Sequence, residues 1–499
     1  MATITADVPA TPEFTSLAEP EVRSIDFIPD SERHGKVRQQ GIFWFLSNTQ
    51  TLSVAVGFTG IALGLSVATT ILGVVLGNIF GTIFMALHAS QGPRLGLPQM
   101  IQSRAQFGYR GVILPLVMAL FTYLIFMVID IVILKQGFQG LFGISPTVTA
   151  IVVTIIGFAL AIYGYDWLHL AFKVLFWASL PFWIALSAWI VFGGVAGKAA
   201  PAHHFGWIAF IGVFAYSASI NISYAPVISD YSRYLPRNTP YRSVIGAVFS
   251  GGFWSLTWMA AIGTWMAAHL GATDALVSVH QAGNNIFHGF GTIIVVLASL
   301  ALVATMGEMV YSSQLVIMTG FDSVKPLKPT FRKRALAASV FAVVCLVLGT
   351  WVFNTQWTAI DDGLDLSLYV LTPWTIVNLI DYFLVRKGKY AIVELEKRQG
   401  LYGAWGWRGI GSYLIGFVAS IPFWNLSFYH SPFAKAHDSL DISFIVELLV
   451  AGVVYLIVSR SIDLSKDAAA VAASEEQLSA AGLISSTIDD PMLAGSGAW

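Results

Sequence analysis

Charge is what this chain is short of. Only 11% of its 499 residues are Asp, Glu, Lys or Arg, against 56% hydrophobic, and the mean hydropathy is +0.71. Soluble domains carry about 25% charged residues, so a water-soluble enzyme is excluded and an integral membrane protein remains. The net charge of −1 offers no bulk basic surface to a nucleic acid. Cysteine is nearly absent: Cys345 is the only one, so no internal disulfide can form and nothing points to thiol chemistry. Also missing are a His-x-x-x-His metal spacing, a GxSxG elbow and a phosphate-binding glycine loop, which leaves enzyme chemistry without a motif. The His203-His204 pair falls in a loop and reads as solvated rather than as a metal site.

What is present is a set of long apolar runs between two polar ends. Residues 1–40 are polar and acidic, with Pro9, Pro12, Pro20 and Pro29, and lack the basic-then-apolar pattern of a cleaved signal peptide. They read as a disordered tail, as does 461–499, rich in Ala, Ser and Asp. Between them, residues 41–460 form the membrane domain. A span needs about 20 apolar residues, and twelve candidates fit: 41–65, 67–89, 112–138, 147–164, 168–193, 205–227, 243–270, 289–318, 335–354, 364–385, 409–429 and 441–460. With that count, 24 of the 27 Lys and Arg residues fall on one side, leaving Lys135, Lys198 and Lys435 for the other. Basic loops stay inside, so both termini are expected in the cytoplasm, with the protein a multi-pass resident of the plasma membrane.

Two acids stand alone in these runs. Glu308 is the only charged residue between Gly289 and Phe321, and Asp130 the only one between Gly111 and Leu134. A carboxylate in hydrocarbon costs at least a few kcal/mol, so such residues face a cavity and meet a substrate, ion or proton. Lys135 is a poor partner for Asp130: five residues on, it lies about 140° round the helix. Two spans are candidates to break. The first carries Asn48, Thr49, Gln50 and Thr51 at membrane depth; the sixth carries Ser217, Ser219, Asn221 and Ser223 before Pro226. Freed backbone groups are tolerated in a bilayer only where they line a cavity or are buried in protein. Broken helices five spans apart are what two inverted five-helix repeats produce, with the site at their interface. Taken singly, each Ser or Asn can instead bond its own backbone or glue helices.

Three strings carry a resemblance. GPRLGLPQMIQSRAQFGYRG (92–111), SDYSRYLPRNT (229–239) and TPWTIVNLIDYFLVRKGKY (372–390) are similar to the purine–cytosine permeases of the nucleobase:cation symporter-1 family. The similarity covers the membrane domain from about Arg33 to Arg460. It implies an all-α membrane protein of twelve transmembrane helices, a LeuT-like five-plus-five inverted repeat with two additional C-terminal helices, binding substrate between helices one, three, six and eight. The strings fall mainly on loops, where structural and gating contacts are expected: Asp230 and Arg233 can pair with loop residues, and Asp381 sits beside Arg386.

The resemblance also implies a site. The family's third helix pairs a stacking aromatic with an amide four residues later, a pattern that falls on Phe126 and, with Asp replacing the amide, on Asp130. Glu308 falls in the window of the eighth helix where the family carries Asn or Asp. Asn48 and Ser53 from the first span, and Ser219 and Asn221 from the sixth, are candidate hydrogen-bond partners for a base edge. In Na⁺-coupled relatives hydroxyls one turn earlier on helix eight hold the ion, but here Leu302, Val303 and Ala304 leave Thr305 alone with a hydroxyl, and a hard cation wants oxygens. Glu308 and Asp130 are therefore the expected proton carriers, with Thr305 the lone hydroxyl for a metal ion. The expected function is inward symport of a purine or pyrimidine base with H⁺. The alternatives are Na⁺-coupled uptake of allantoin, hydantoin or a vitamin-precursor pyrimidine, or a membrane sensor that does not transport. No resident cofactor or metal is expected; the partners are the base, the coupling cation and the lipid. Asn78, Asn378, Asn425 and Glu447 also lie in spans and are given no role.

Overall fold

The computed structural model describes residues 21, 23–192, 205–353 and 357–485. Lys198, His203 and His204, and the outer parts of both tails, lie outside the described residues. Within them, each of the twelve expected spans falls on helix. The first is broken into α1a (Val37–Asn48) and α1b (Thr51–Ala62). Then come α2 (Val67–Ala89), α3 (Ile113–Phe142), α4 (Pro146–Tyr163) and α5 (Tyr165–Phe192). The sixth span is also broken, into α6a (Trp207–Ile222) and a short α6b (Ile228–Ser232). The rest are α7 (Tyr241–Leu270), α8 (Phe290–Val324), α9 (Phe331–Val347), α10 (Trp357–Leu379), α11 (Trp407–Ser420) and α12 (Ser443–Ser459). Eight of the described helices are long and apolar enough to cross a membrane alone; α1b and α6a are shorter apolar halves.

Local chemistry explains the interruptions. Thr49 leaves the helical region at φ −87°, ψ 62°, and the Gln50 side chain then accepts from the amide of Leu52 at 2.6 Å, which starts α1b afresh. In α6 the Ser223 and Pro226 region forms tight turns before α6b begins, since proline removes a ladder donor. The eleventh helix stops at Ser420, short of the expected 429. Pro422 sits in a 3-10 turn, Ile421–Phe423, and a two-residue hairpin pairing Asn425 with His430 takes over.

The helices sort into two groups. In the first, α7 packs on α1a, α1b and α2, and α2 packs on α6a. Glycine makes these contacts close. A Cβ on Gly57 would collide with the carbonyl of Ala260, one on Gly263 with that of Val54, and ones on Gly77 and Gly81 with the carbonyls of Phe214 and Ala218. Small residues that let backbones approach are how helices associate where lipid supplies no hydrophobic force. In the second group α8 packs on α3, α4 and α9, while α5 touches both α1a and α8. Helix α10 lies against α3 and α12, and α11 pairs with α12. A short helix, Ala275–Asn284, capped by Asp274, lies on α8 before that helix begins.

The described parts of both terminal segments are more ordered than expected. The tail boundary at 40 is a correction: Ile25, Phe27 and Ile28 are buried, and the segment packs against the basic loops. The second correction is α13 (Leu464–Ala480), which turns by 87° from α12. Its alanine, glutamate and leucine content favours helix even without a large apolar face, and Asp463 caps it by accepting from the amide of Ser465 at 3.1 Å. Arg386 holds Asp467 at 2.6 Å and Arg237 holds Glu475 at 3.0 Å, so α13 lies across the same end of the bundle as the N-terminal segment. That end is here called the basic end.

Candidate functional site

The break in α1 brings its polar residues to the face of α8. Ser47, in the last turn of α1a, donates to the carbonyl of Phe43 at 3.1 Å and to Glu308 Oε2 at 3.3 Å. Glu308 is fully buried, and its Oε1 has no hydrogen-bond partner. The Tyr231 hydroxyl, from α6b, donates to the backbone carbonyl of Glu308 at 3.1 Å, and that of Tyr224 reaches the carbonyl of Ser47 at 3.4 Å. Helices α1, α6 and α8 thus meet at Glu308, α1 through its carboxyl and α6 through its backbone carbonyl.

Asp130 joins them from α3. It is 3% exposed, and among the described residues it has neither a hydrogen-bond nor an ion-pair partner. Helix α3 packs on α8, so the two acids stand on contacting helices. Lys135 is committed elsewhere, to the carbonyls of Gly349 and, at 3.2 Å, Thr350. Phe126, one turn before Asp130, is buried and has no ring partner among the described residues. Its π-face is free of aromatic company.

The amides behave differently from the acids. Asn48 Nδ2 donates to Asn221 Oδ1 at 2.9 Å, and Asn221 Nδ2 donates to Asn78 Oδ1 and Thr82 Oγ1, both at 2.7 Å. Asn78 Nδ2 in turn holds the Phe253 carbonyl at 2.8 Å. This chain ties α1, α6, α2 and α7 together at their polar core. It leaves Asn48 Oδ1 unpartnered, as are the buried hydroxyls of Thr51 and Ser53 in the first turn of α1b. Ser219 bonds the carbonyl of Tyr216 at 2.7 Å and Thr305 that of Leu302 at 2.7 Å, so both hydroxyls are absorbed by their own helices.

Towards the basic end the region is closed by stacked rings. Phe43 lies on Phe172 with centroids 4.1 Å apart, Trp44 and Tyr231 pack edge to face, and Tyr231 leans on Tyr311 at 5.4 Å. Below them the three sequence strings meet. Gln99 donates its backbone amide to Asp230 at 3.0 Å, Gln91 donates to Asn378 at 2.7 Å, and Gln106 donates to Asp381 at 2.7 Å. Asp381 also pairs with Arg386 and accepts from Tyr390 and Tyr455 at 2.6 Å. Arg104 pairs with Asp322 on α8 at 2.8 Å. Away from both regions, Glu447 of α12 accepts from Ser420 of α11 at 2.7 Å, pairing the last two helices. Sequence reasoning passed over Ser47, Tyr224 and Tyr231. Ser47 borders the Asn48–Thr51 cluster, which is the signal that could have found it.

Buried acids, a ring without aromatic company and a broken helix suit a small polar solute, and known proteins of this kind match the chain. The family model for a permease for cytosine/purines, uracil, thiamine, allantoin matches residues 27–447. The relative named purine-cytosine permease YxlA, from Bacillus subtilis (strain 168), is 31% identical over 450 residues, covering 88% of this chain and 96% of that protein. Among solved structures, Mhp1, a nucleobase-cation-symport-1 family transporter in a closed conformation with bromovinylhydantoin bound, superposes with a TM-score of 0.69 at 17% identity, over 89% of this chain and 96% of its own. A Na⁺-coupled sialic acid symporter in a substrate-bound outward-open state gives 0.60 at 11% identity, over 88% and 92%. These two establish the LeuT-like fold expected from the paired broken helices. The family match over most of the chain makes it a membrane transporter and not an enzyme: it belongs to the nucleobase-cation-symport-1 family of purine–cytosine permeases.

Proposed function

We propose that the protein imports a purine or pyrimidine base across the plasma membrane together with H⁺, its basic end and both termini facing the cytoplasm. The observation that carries this reading is Glu308: a fully buried carboxyl at the α1 break, held only by the Ser47 hydroxyl through Oε2, with Oε1 open and no cation beside it among the described residues. A desolvated carboxyl without a counter-charge exchanges protons readily, and membrane acids of this kind mark substrate and proton routes. Phe126 supplies the ring on which a flat heterocycle stacks, with Asp130, Asn48 and Ser53 around its edge. Ser219, Asn221 and Thr305 support the site from behind, since their polar groups are engaged within the protein.

Transport proceeds by rocking the α1, α2, α6, α7 group against the α3, α4, α8, α9 group about the site, the motion that a fold of paired repeats allows. The test is uptake of radiolabelled base into proteoliposomes under a pH gradient and, separately, a Na⁺ gradient. Proton-driven accumulation that Glu308→Gln abolishes is the expected result. Sodium-driven uptake indifferent to pH refutes the proton assignment, and binding without accumulation under either gradient turns the reading to a sensor.

A further inference from the structure

At the basic end two adjoining clefts share Arg94 and Arg237 in their walls. Tyr241 and Phe383 line the first, Lys389 and Glu475 the second. Of the charged side chains lining the pair among the described residues, Arg94, Arg237 and Lys389 are cations, and Glu475, held on Arg237 at 3.0 Å, is the one acid. The exposed Arg242 adds a positive charge beside them, its Nε donating to the Tyr241 hydroxyl at 3.2 Å.

These clefts lie where spans leave the bilayer. Helix α7 begins at Tyr241, α2 ends at Ala89 just before Ser90 in the first cleft, and the turn that finishes α10, Ile380–Val385, carries Phe383. A lipid-facing track leads to the same place. Leu76, Ile83 and Ser90 recur every seven residues, two helical turns, and Ser90 keeps helical angles, so the three share one face of α2. Leu76 and Ile83 are exposed on that face, as is Leu384 beside Phe383. Cations at the mouth, aromatic rings at the boundary and an apolar track beyond them are the parts that a lipid headgroup and its chains require.

We propose that this paired cleft binds an anionic phospholipid, with its phosphodiester among Arg94, Arg237 and Lys389 and its acyl chains along Leu76, Ile83 and Leu384. Guanidinium forks and an ammonium match phosphate oxygens. A zwitterionic lipid brings a headgroup cation into a cleft that already carries a positive excess, and is disfavoured. A soluble phosphate has the charge without the chains, and so lacks the apolar contact. The site stands apart from Glu308 and is independent of which solute is carried. Its walls come from α2, the loop before α7, the end of α10 and α13, so an occupied cleft ties α13 to the ends of three spans.

The test follows the thermal midpoint, and the lipid retained in native mass spectrometry, for the purified full-length protein in a neutral detergent titrated with phosphatidylglycerol, phosphatidylcholine or glycerol phosphate. Phosphatidylglycerol is expected to bind and raise the midpoint, and the other two to leave it unmoved. Lys389→Ala and Arg94→Gln should each weaken phosphatidylglycerol binding about fivefold, the worth of one cation beside an anionic lipid. Lys328→Ala, which removes an exposed cation from another loop of the same end, should leave it unchanged. Lys389 is exposed, so its variant decides the matter even where Arg94→Gln does not fold. Equal binding of phosphatidylcholine, an equal effect of glycerol phosphate, or an equal loss in Lys328→Ala overturns the site.

Discussion

Glu21 and Arg233 are 212 positions apart in the chain and meet at 3.4 Å. The guanidinium is fully buried and also donates to the carbonyl of Ser24 and to the Tyr311 hydroxyl at 3.2 Å. Glu21 accepts from Tyr311 at 2.9 Å and from Tyr234, its Oε2 lies 3.5 Å from Arg334, and its own amide donates to the Tyr163 carbonyl at 3.3 Å. One carboxylate from the N-terminal segment thus joins the end of α6b, the middle of α8, the start of α9 and the α4–α5 turn.

Glu21→Ala should therefore loosen the basic end. Removing one partner of a buried ion pair leaves the other charge uncompensated and costs up to about 3–5 kcal/mol. A Ser47→Cys probe, in a Cys345→Ala background that has no other thiol, should react faster with a membrane-impermeant reagent added at that end. An unchanged labelling rate means the tie does not keep that side shut.

Ser47→Ala removes the one side-chain hydrogen bond that Glu308 accepts. A bond to a charged or proton-sharing group is worth about 1.5–3 kcal/mol. Proton-driven uptake is expected to fall roughly tenfold, with the pH optimum displaced and the thermal midpoint little changed. Uptake with wild-type rate and pH profile would detach Ser47 from the coupling step.

Phe126→Ala should weaken base binding without abolishing expression. Stacking of a base on an aromatic ring contributes about 1–3 kcal/mol, so Kd should rise by roughly five- to 150-fold. Phe126→Tyr should retain most of the affinity. Equal affinity in wild type and Phe126→Ala removes the ring from the site.

Gly81→Leu tests the close approach of α2 and α6a. A side chain there meets the backbone of Ala218, which cannot yield as a flexible side chain would. Overpacking of this kind costs about 1–3 kcal/mol, and it should pull Asn78 from Asn221, so the thermal midpoint should drop by several degrees. Gly212, where a Cβ would meet Leu63 Cδ1 at an ordinary 3.8 Å, is the control: Gly212→Ala should be neutral.

His34 gives a pH signature at the basic end. Its imidazole bonds Asp166 at 2.9 Å, and this raises its pKa above the ordinary 6.5 against the opposing desolvation. The folded protein therefore holds the proton more tightly than the unfolded chain. The stabilisation is complete below pH 6.5 and drains away as pH climbs through the raised folded value. The difference in thermal midpoint between wild type and His34→Ala should be positive at low pH and shrink as pH rises; a difference that grows with pH contradicts the pairing.

The spans were legible because a bilayer demands about 20 apolar residues at a stretch, and the α1 break because Asn48 to Thr51 stand out in an otherwise apolar run. The partners of those residues were not legible. Asn48 and Asn221 each looked ready for a substrate, but they lie 173 positions apart and Asn48 spends its amide protons on Asn221, a long-range pairing that no local pattern encodes. Thr305 likewise faces its own helix, since a hydroxyl in a helix can bond the carbonyl one turn back. Helix α13 was missed because alanine makes helix without an apolar stripe, and its docking rests on a few ion pairs rather than on periodicity. Asp130 and Glu308 stand out in the sequence because a lone acid in an apolar run is rare whatever its partners.

The docked α13 bears on how the protein is handled. Its Ser474 accepts from the amide of Val393 at 3.0 Å, and the Ser485 amide beyond it donates to Asp30 at 3.0 Å, so the described N-terminal and C-terminal segments brace each other. Trimming the sequence back to Ser461 to aid crystallisation would strip Arg386 of Asp467 and Arg237 of Glu475, exposing a cationic seam to detergent headgroups. Expression designs should retain everything through Ser485.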